Sequence, residues 1–190
     1  MKKILFIFAV LLISCNTAEK RLQEREKFVA DSIAEVKATK EQQRRDSIWL
    51  VEIAREDSIK KAKHAETVKN TVKINSYYLS SPNSVGGVDA YFYYTNLNDK
   101  TIKYLTWEGY PLNAVGDAVS CTVRDRVYYR GRDTGPIKKG QKGGGCWSNA
   151  WYNNTAKKMI IKEISIEYMD GSSFVIEGVD LYLVGIKKPE

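Results

Sequence analysis

Histidine is nearly absent from this chain of 190 residues, since His64 is the only one. It follows a lysine-rich stretch, so we expect it to be a solvated helix residue. Residues 71–190 contain no histidine, which excludes Ser-His-Asp and Cys-His catalysis there, together with most zinc sites. No series of Asp, Asn and Glu has the spacing of a calcium loop. We therefore expect neither a metal nor a cofactor.

Paired carboxylates are the catalytic arrangement that the composition leaves open, because two acids alone can hydrolyse a glycosidic bond. The candidate aspartates fall mainly where turns are predicted, and aspartate is common in turns for backbone reasons. We therefore favour a protein that is not an enzyme. The candidates are Asp117, Asp125, Asp133 and Asp170.

Glycine and proline are missing from residues 16–81, where Lys, Arg, Glu, Gln and Ala dominate most of the stretch. These residue types favour helix. The triplet Asp-Ser-Ile occurs three times, with its isoleucines at Ile33, Ile48 and Ile59. Spacings of 15 and 11 residues keep the three isoleucines within one apolar stripe of a helix. The sequence thus predicts a helical stalk over residues 15–70.

The apolar stripe of the stalk is thin, and residues 37–46 are nearly all polar. A single helix this polar is marginal in water unless it pairs with something. Three arrangements fit: a lone spacer, a parallel coiled coil of two or three chains through residues 20–70, and two helices folded back near residues 40–47. Spacing is the most natural role, because 50 helical residues would reach about 75 Å. Trp49 alone favours a specific contact.

The N-terminus has the features of an export signal. Lys2 and Lys3 precede an unbroken apolar run over residues 4–13, shorter than the roughly 20 residues that span a bilayer. Residues 12–15 then read Leu-Ile-Ser-Cys. This segment resembles the lipobox of bacterial lipoproteins, which implies cleavage after Ser14 and lipidation of the Cys15 thiol. The alternative is an ordinary cleaved signal peptide with an incidental cysteine.

The lipobox resemblance also implies a location. Several acyl chains on one terminus anchor a protein stably to a membrane. No aspartate follows Cys15, and no acidic run that resembles a surface-export signal is present. We therefore expect a lipid-anchored protein of the bacterial cell envelope, in the outer membrane facing the periplasm.

The net charge of +7 is spread along the chain. Residues 16–75 carry 14 basic and 11 acidic side chains, and residues 76–190 carry 14 and 12. Binding to a polyanion needs charges gathered on one face. We therefore expect no nucleic-acid partner.

Near residue 70 the spacing at which apolar residues recur changes from that of a helix to every second residue, which is typical of a strand. In the stretch from Val88 to Thr95, apolar or aromatic residues alternate with Asp89, tyrosines and a threonine, so that one set faces a core. No helix is predicted between the strands, which excludes parallel crossovers and favours an antiparallel two-layer sandwich. The seven predicted strands are residues 71–80, 87–95, 101–110, 118–129, 145–151, 158–168 and 172–183.

Five segments of this region carry a resemblance. They are residues 94–104 (YTNLNDKTIKY), 110–117 (YPLNAVGD), 134–137 (TGPI), 151–153 (WYN) and 168–171 (YMDG). Together they resemble the immunoglobulin-like β-sandwich domains of uncharacterised bacterial lipoproteins and secreted proteins, over residues 72–184. The resemblance implies a fold and carries no catalytic or ligand residues with it.

Two cysteines lie on predicted strands of this region, Cys121 and Cys146. An oxidising compartment would favour a disulfide between them, closing a loop of about 25 residues and worth roughly 3 kcal/mol. Two free thiols are the alternative, because a bridge needs Cα atoms within about 7 Å.

A group of basic residues surrounds Tyr128 and Tyr129. It predicts either an anionic-ligand patch, for an acidic glycan, a lipid phosphate or an acidic protein surface, or a sheet edge protected by charge, which we favour. The group consists of Arg124, Arg126, Arg130, Arg132, Lys138, Lys139 and Lys142. The nearby Trp147, Trp151 and Tyr152 fit a sugar-stacking platform or, as we expect, core and cross-strand packing.

The sequence therefore predicts a mainly β protein: a signal peptide (residues 1–14), a lipidated stalk (15–70), a seven-stranded antiparallel immunoglobulin-like sandwich (71–186) and a tail (187–190). The leading hypothesis is a membrane-anchored binding or assembly module on a helical spacer, with an envelope protein or glycan as partner. A structural envelope protein that forms homo-oligomers through its helix is the alternative. A carbohydrate-active enzyme is the third.

Overall fold

The computed structural model describes the backbone of residues 2–187 and the side chains of residues 19–187. The predicted signal peptide and the lipidation residue Cys15 lie outside the residues whose side chains are described. The chain divides into two compact units, Met1–Ile59 and Lys60–Glu190. The elements are α1 (Lys2–Lys69), β1 (Val72–Leu79), β2 (Gly87–Asn96), β3 (Ile102–Leu112), β4 (Tyr129–Ile137), β5 (Lys142–Tyr152), β6 (Lys158–Tyr168), β7 (Ser173–Glu177) and α2 (Asp180–Leu183).

The stalk is one continuous helix, α1, so the folded-back arrangement near residues 40–47 is wrong. The serines of the Asp-Ser-Ile triplets do not interrupt it, because their hydroxyls bond to carbonyls of the same helix. Ser32 Oγ donates to the Phe28 carbonyl at 2.8 Å, and Ser58 Oγ donates to that of Ala54 at 2.8 Å. Within the part of the chain searched, no helix combines the length and apolar character needed to cross a membrane.

The seven strands form two antiparallel sheets, which confirms a mainly β sandwich preceded by a long helix. One sheet has the order β1-β2-β5 and the other β4-β3-β6-β7. The alternation predicted for β2 is observed, since Val88, Ala90, Phe92 and Tyr94 are all fully buried. The intervening positions of the strand are only partly buried.

The predicted fourth strand, residues 118–129, is wrong. Most of this stretch is a turn-rich loop, in which Cys121 and Arg126 form an isolated bridge and Thr122 N–H donates to the Tyr152 carbonyl at 2.9 Å. The strand follows at β4, over Tyr129–Ile137, a segment that contains two glycines and a proline. Its pairing along β3 outweighs its weak local preference for strand.

The predicted seventh strand extends too far. Strand β7 ends at Glu177, and Gly178 follows with a positive φ of 57°. The next residues form the short helix α2, which packs on β6 and β7. The apolar residues of this segment therefore reach the core from a helical turn, with Leu181 and Val184 buried.

The last turns of α1 belong to the same compact unit as the sandwich. Val68 is fully buried and is part of the sandwich core. His64 Nε2 lies 2.6 Å from Asp180 Oδ2, which joins the end of α1 to α2. His64 is an exposed helix residue, as expected, and its ring has in addition a carboxylate partner that the sequence did not indicate.

Trp107 on β3 occupies the centre of the core. Its ring lies 5.8 Å from that of Phe92, 5.2 Å from that of Trp147 and 6.4 Å from that of Trp151. A Cβ at Gly131 on the neighbouring strand would overlap the Trp107 indole. Glycine in β4 thus makes room for the largest side chain of the core.

Candidate functional site

The predicted basic group lies along the edges of both sheets, because β4 ends one sheet and β5 ends the other. Several of its charges are engaged within the protein. Arg130 Nε lies 2.7 Å from Glu108 Oε2, and Lys139 Nζ lies 2.6 Å from Asp99 Oδ1. These two ion pairs neutralise Arg130 and Lys139 within the protein.

The two arginines of the loop before β4 are also held by intramolecular contacts. The Arg124 guanidinium donates to the carbonyls of Asn149 and Ala150, each at 3.3 Å. That of Arg126 lies 5.4 Å from the centre of the Tyr129 ring. Each of these two side chains therefore has a contact within the protein.

Arg132, like Arg124 and Arg126, forms no ion pair with the described residues, but of these three arginines it is the one that lies on a strand. Its guanidinium lies 5.0 Å from the centre of the Tyr104 ring, and its Nε donates to Thr106 Oγ1 at 3.4 Å. No carboxylate among residues 19–187 lies within ion-pair distance of it. It is therefore a guanidinium whose charge is not neutralised, on a strand that fixes its position.

The strand register places Arg132 within an ordered array on the outer face of the four-stranded sheet. Residue pairing aligns two rows across β4, β3, β6 and β7. The first row is Thr134, Tyr104, Glu167 and Ser173, and the second is Arg132, Thr106, Ser165 and Val175. Most of these side chains carry a hydroxyl or a charge, so the two rows form a polar surface.

These rows line a shallow open groove of about 370 Å³. Aromatic, hydroxyl, guanidinium and carboxylate groups all border it, a mixture suited to hydrogen bonding with a polar ligand. The lining residues are Tyr104, Thr106, Arg132, Ser165, Ile166, Glu167, Gly171 and Ser173. We call this surface the outer-face groove.

A second cation borders the Tyr104 ring of the groove. Lys103 Nζ lies 5.0 Å from the ring centre and donates to Glu167 Oε1 at 2.7 Å. This hydrogen bond and the negative charge of Glu167 raise the pKa of Lys103 above its usual range. The lysine is thus matched by a carboxylate, whereas Arg132, within the described part of the chain, is not.

Next to the groove, neighbouring side chains on the outer face of the sheet contact one another. Glu108 accepts from Arg130 and lies 3.5 Å from Lys162 Nζ. Lys162 Nζ in turn lies 4.6 Å from the centre of the Tyr128 ring, which packs edge-on against Tyr110. Arg130, Glu108 and Lys162 thus satisfy one another beside the groove.

Two of the candidate acids, Asp133 and Asp170, are engaged in separate contacts within the protein. Asp133 points inward from β4, where its Oδ2 accepts from the Tyr94 hydroxyl at 3.0 Å. Asp170 lies at the β6–β7 hairpin, where hydrogen bonds from Lys100 and Ser172 hold its pKa well below its usual range. Among residues 19–187, no three His, Cys, Asp or Glu side chains are grouped as a metal site would require.

The two cysteines of the sandwich are free thiols, and the structure does not bring them together. Cys121 is buried, whereas Cys146 is exposed on β5 opposite Tyr91. Burial raises the pKa of the Cys121 thiol, but backbone N–H donors, led by that of Tyr152, outweigh it and hold the pKa below its usual value. Because one thiol faces the core and the other solvent, a disulfide would need the backbone to move.

The aromatic residues of β5 pack into the core, as expected. Trp151 is fully buried and its indole N–H donates to the Val127 carbonyl at 2.8 Å. Trp147 and Tyr152 are partly buried and pack against the core. They therefore do not form a sugar-stacking platform, whereas the ring of Tyr104 borders the groove.

The chain matches no protein-family model, no curated protein and no solved structure. The groove therefore has to be interpreted from its own residues. Of its lining, the sequence pointed only to Arg132. The alternating positions of β3 and β6 were a signal for an outer face, but the register that aligns them with β4 and β7 is a tertiary property.

Proposed function

We propose that this chain is a lipid-anchored envelope protein whose β-sandwich is a non-enzymatic binding module, carried on α1 as a spacer. The anchor rests on the segment Leu12 to Cys15 and the apolar run before it. The spacer role is supported by the unbroken helix that extends to Lys69. At 1.5 Å per residue, the helical residues beyond Cys15 cover roughly 80 Å.

We further propose that the sandwich is immunoglobulin-like, and the strand order supports this. In the constant-type immunoglobulin fold, the sheets have the orders 1-2-5-4 and 3-6-7, counted along the chain. The orders here are β1-β2-β5 and β4-β3-β6-β7. The two arrangements differ only in the fourth strand, which pairs with the third strand here instead of the fifth.

The outer-face groove is the ligand site in this proposal, and the observation that carries it is the unneutralised Arg132 over the Tyr104 ring. A guanidinium recognises a carboxylate through two parallel hydrogen bonds. Tyr104 and the hydroxyls of Thr106 and Ser165 supply an aromatic face and hydrogen-bonding groups beside it. This combination suits a glycan that carries carboxylates, such as one built from uronic acids.

Binding of the full chain to arrays of acidic and neutral oligosaccharides tests the ligand class. Arg132→Ala should abolish binding to the acidic members, and Arg126→Ala should leave it unchanged, because Arg126 packs on Tyr129 away from the groove. Both arginines are exposed, so both variants should stay folded. Equal binding of the two variants would remove the groove from the proposal.

Metabolic labelling tests the anchor separately. Cells that express the chain are grown with an alkyne-tagged fatty acid, and the chain is compared with Cys15→Ser. The tag and membrane association should both be lost in the variant. A wild-type chain without the tag, or a variant that stays on the membrane, would contradict the lipid anchor and leave the groove proposal standing.

A further inference from the structure

Helix α1 contains an internal repeat of 11 residues. Three copies span residues 26–36, 41–51 and 52–62, and residues 37–40 separate the first copy from the second. Each copy begins with glutamate, has Asp-Ser-Ile at positions six to eight and ends on a valine or an alanine. The Asp-Ser-Ile triplets are therefore part of a longer unit, which a simple spacer does not require.

The period of this repeat differs from that of a straight helix. Eleven residues over three turns give about 3.67 residues per turn, compared with 3.6 in an undistorted helix. The extra four residues make a spacing of 15 over four turns, which deviates in the same direction. A stripe with this period stays in contact with a partner helix through a right-handed supercoil.

The isoleucines at the eighth position have no cover in the single chain. Ile33 and Ile48 are each 54% exposed, and Ile59 is 46% exposed. Leu22 and Val29 extend the stripe toward the N-terminus and are also more than half exposed. Burying such side chains is the usual source of stability for a long polar helix.

Charges flank this stripe in a regular way. In the second and third copies the first position is Glu41 or Glu52, and the fourth is Arg44 or Arg55. At about 100° per residue, the glutamates lie about 20° to one side of the isoleucine and the arginines about 40° to the other. Among the described residues, none of these four side chains has an ion-pair partner.

We propose that the stripe is the contact surface for a second copy of this chain, arranged parallel and in register. In that arrangement the glutamate side of one helix faces the arginine side of the other, so all four charges find partners. An antiparallel pair would place glutamate side against glutamate side. The inference is independent of the lipid anchor and of the ligand of the sandwich.

Sedimentation of the full chain in a mild detergent tests the contact surface. The wild-type chain should sediment with the mass of at least two copies, and Ile33→Gln/Ile48→Gln/Ile59→Gln should sediment as a monomer. Glutamine is a good helix former, and circular dichroism verifies that the helix is retained.

The matched control is Phe28→Gln/Trp49→Gln/Ile53→Gln. It also removes three exposed apolar side chains, but from positions about 100–140° away from the isoleucines around α1. This variant should keep the mass of the wild type. A monomeric wild-type chain, or equal loss of association in the two triple variants, would overturn the proposal.

Cross-linking through introduced cysteines tests the orientation. Glu26→Cys and Arg55→Cys each place a thiol beside the stripe, near opposite ends of the repeat region, and both are made with Cys146→Ser. In a parallel pair each variant cross-links with itself. Asp31→Cys and Asp57→Cys, on the far face, are the controls and should not link above background. Linking only when Glu26→Cys and Arg55→Cys are mixed would show an antiparallel pair and contradict the proposal.

Discussion

The Tyr94 hydroxyl donates to Asp133 Oδ2 at 3.0 Å, and so connects a core strand of one sheet with the edge strand of the other. The same oxygen accepts the backbone N–H of Gly144 at 2.7 Å, which adds the edge strand β5. Burial, together with the charge of Asp133, raises the pKa of Tyr94 well above its usual range, so the hydroxyl keeps its proton. One carboxylate thus holds β2, β4 and β5 at the point where the sandwich closes.

Replacing this carboxylate should destabilise the sandwich. Asp133→Ala leaves the buried Tyr94 hydroxyl and the Gly144 N–H without their acceptor, and each buried unsatisfied group costs about 1–3 kcal/mol. Urea denaturation followed by fluorescence measures the loss. Asp99→Ala removes a carboxylate from the exposed pair with Lys139 and should change stability little. Equal midpoints for the two variants would show that Asp133 does not hold the strands.

The three glycines that begin β5 should not be equivalent. Gly144 has a φ of +109°, and a Cβ there would overlap the Phe92 carbonyl oxygen, whereas Gly145 has open space and no positive φ. A side chain in a left-handed or otherwise strained conformation costs about 1–3 kcal/mol before any overlap is counted. Gly144→Ala should therefore lower the unfolding midpoint strongly, and Gly145→Ala should not. A tolerated Gly144→Ala would contradict the close approach of β2 and β5.

Tyr168 should make the sandwich sensitive to alkali. Its buried hydroxyl has no hydrogen-bond partner among the described residues, and burial, followed by the charge of Asp170, raises its pKa to about 12. Below the unfolded pKa of 10.0 the hydroxyl is neutral in both the folded and the unfolded state, so its titration does not affect stability. As the pH rises from there toward 12 the unfolded state loses this proton first, and stability is lost.

Tyr168→Phe removes this titration. Near neutral pH the variant should be at least as stable as the wild type, because the lost hydroxyl had no partner. Above pH 10 the wild type should lose stability more steeply than the variant. Denaturation midpoints over this range measure the difference, with the exposed Tyr128→Phe as control. Parallel curves for Tyr168→Phe and the wild type would refute the assignment.

The two thiols of the sandwich should react at different stages. In a folded Cys15→Ser chain, Cys146 is exposed and should react at once with a thiol reagent, whereas the buried Cys121 should react only on unfolding. Mass spectrometry after mild oxidation should find no intramolecular disulfide. The labelling kinetics should show one fast thiol and one slow thiol. A mass lower by two hydrogens in the folded chain would instead support the disulfide between Cys121 and Cys146.

Much of the fold could be predicted because its strands are locally consistent. Apolar alternation, as in β2, reflects a core on one face of the strand and solvent on the other. The fourth strand was missed because its residue types are determined by contacts with residues that are distant in the chain. Gly131 leaves room for the Trp107 indole, and Gly135 lies against the Ile102 carbonyl. Read locally, glycine and proline indicate a turn.

The candidate site was predictable only in part, for a related reason. The sequence grouped Arg132 with six other basic residues. Which members of this group are engaged in ion pairs or ring contacts depends on the tertiary structure, which the sequence does not show. Tyr104 and Glu167 are brought beside each other by pairing between β3 and β6. His64 and Asp180 are 116 residues apart, so no local pattern could join them.

The burial of Val68 determines where the sandwich can be cut from the helix. A fragment that began at Thr71 would lack a side chain that the core encloses completely, and would carry an empty space lined by apolar groups. It would also lose His64, and with it the partner of Asp180. The shortest fragment that keeps the complete core of the sandwich therefore includes the last three turns of α1, from about Lys60.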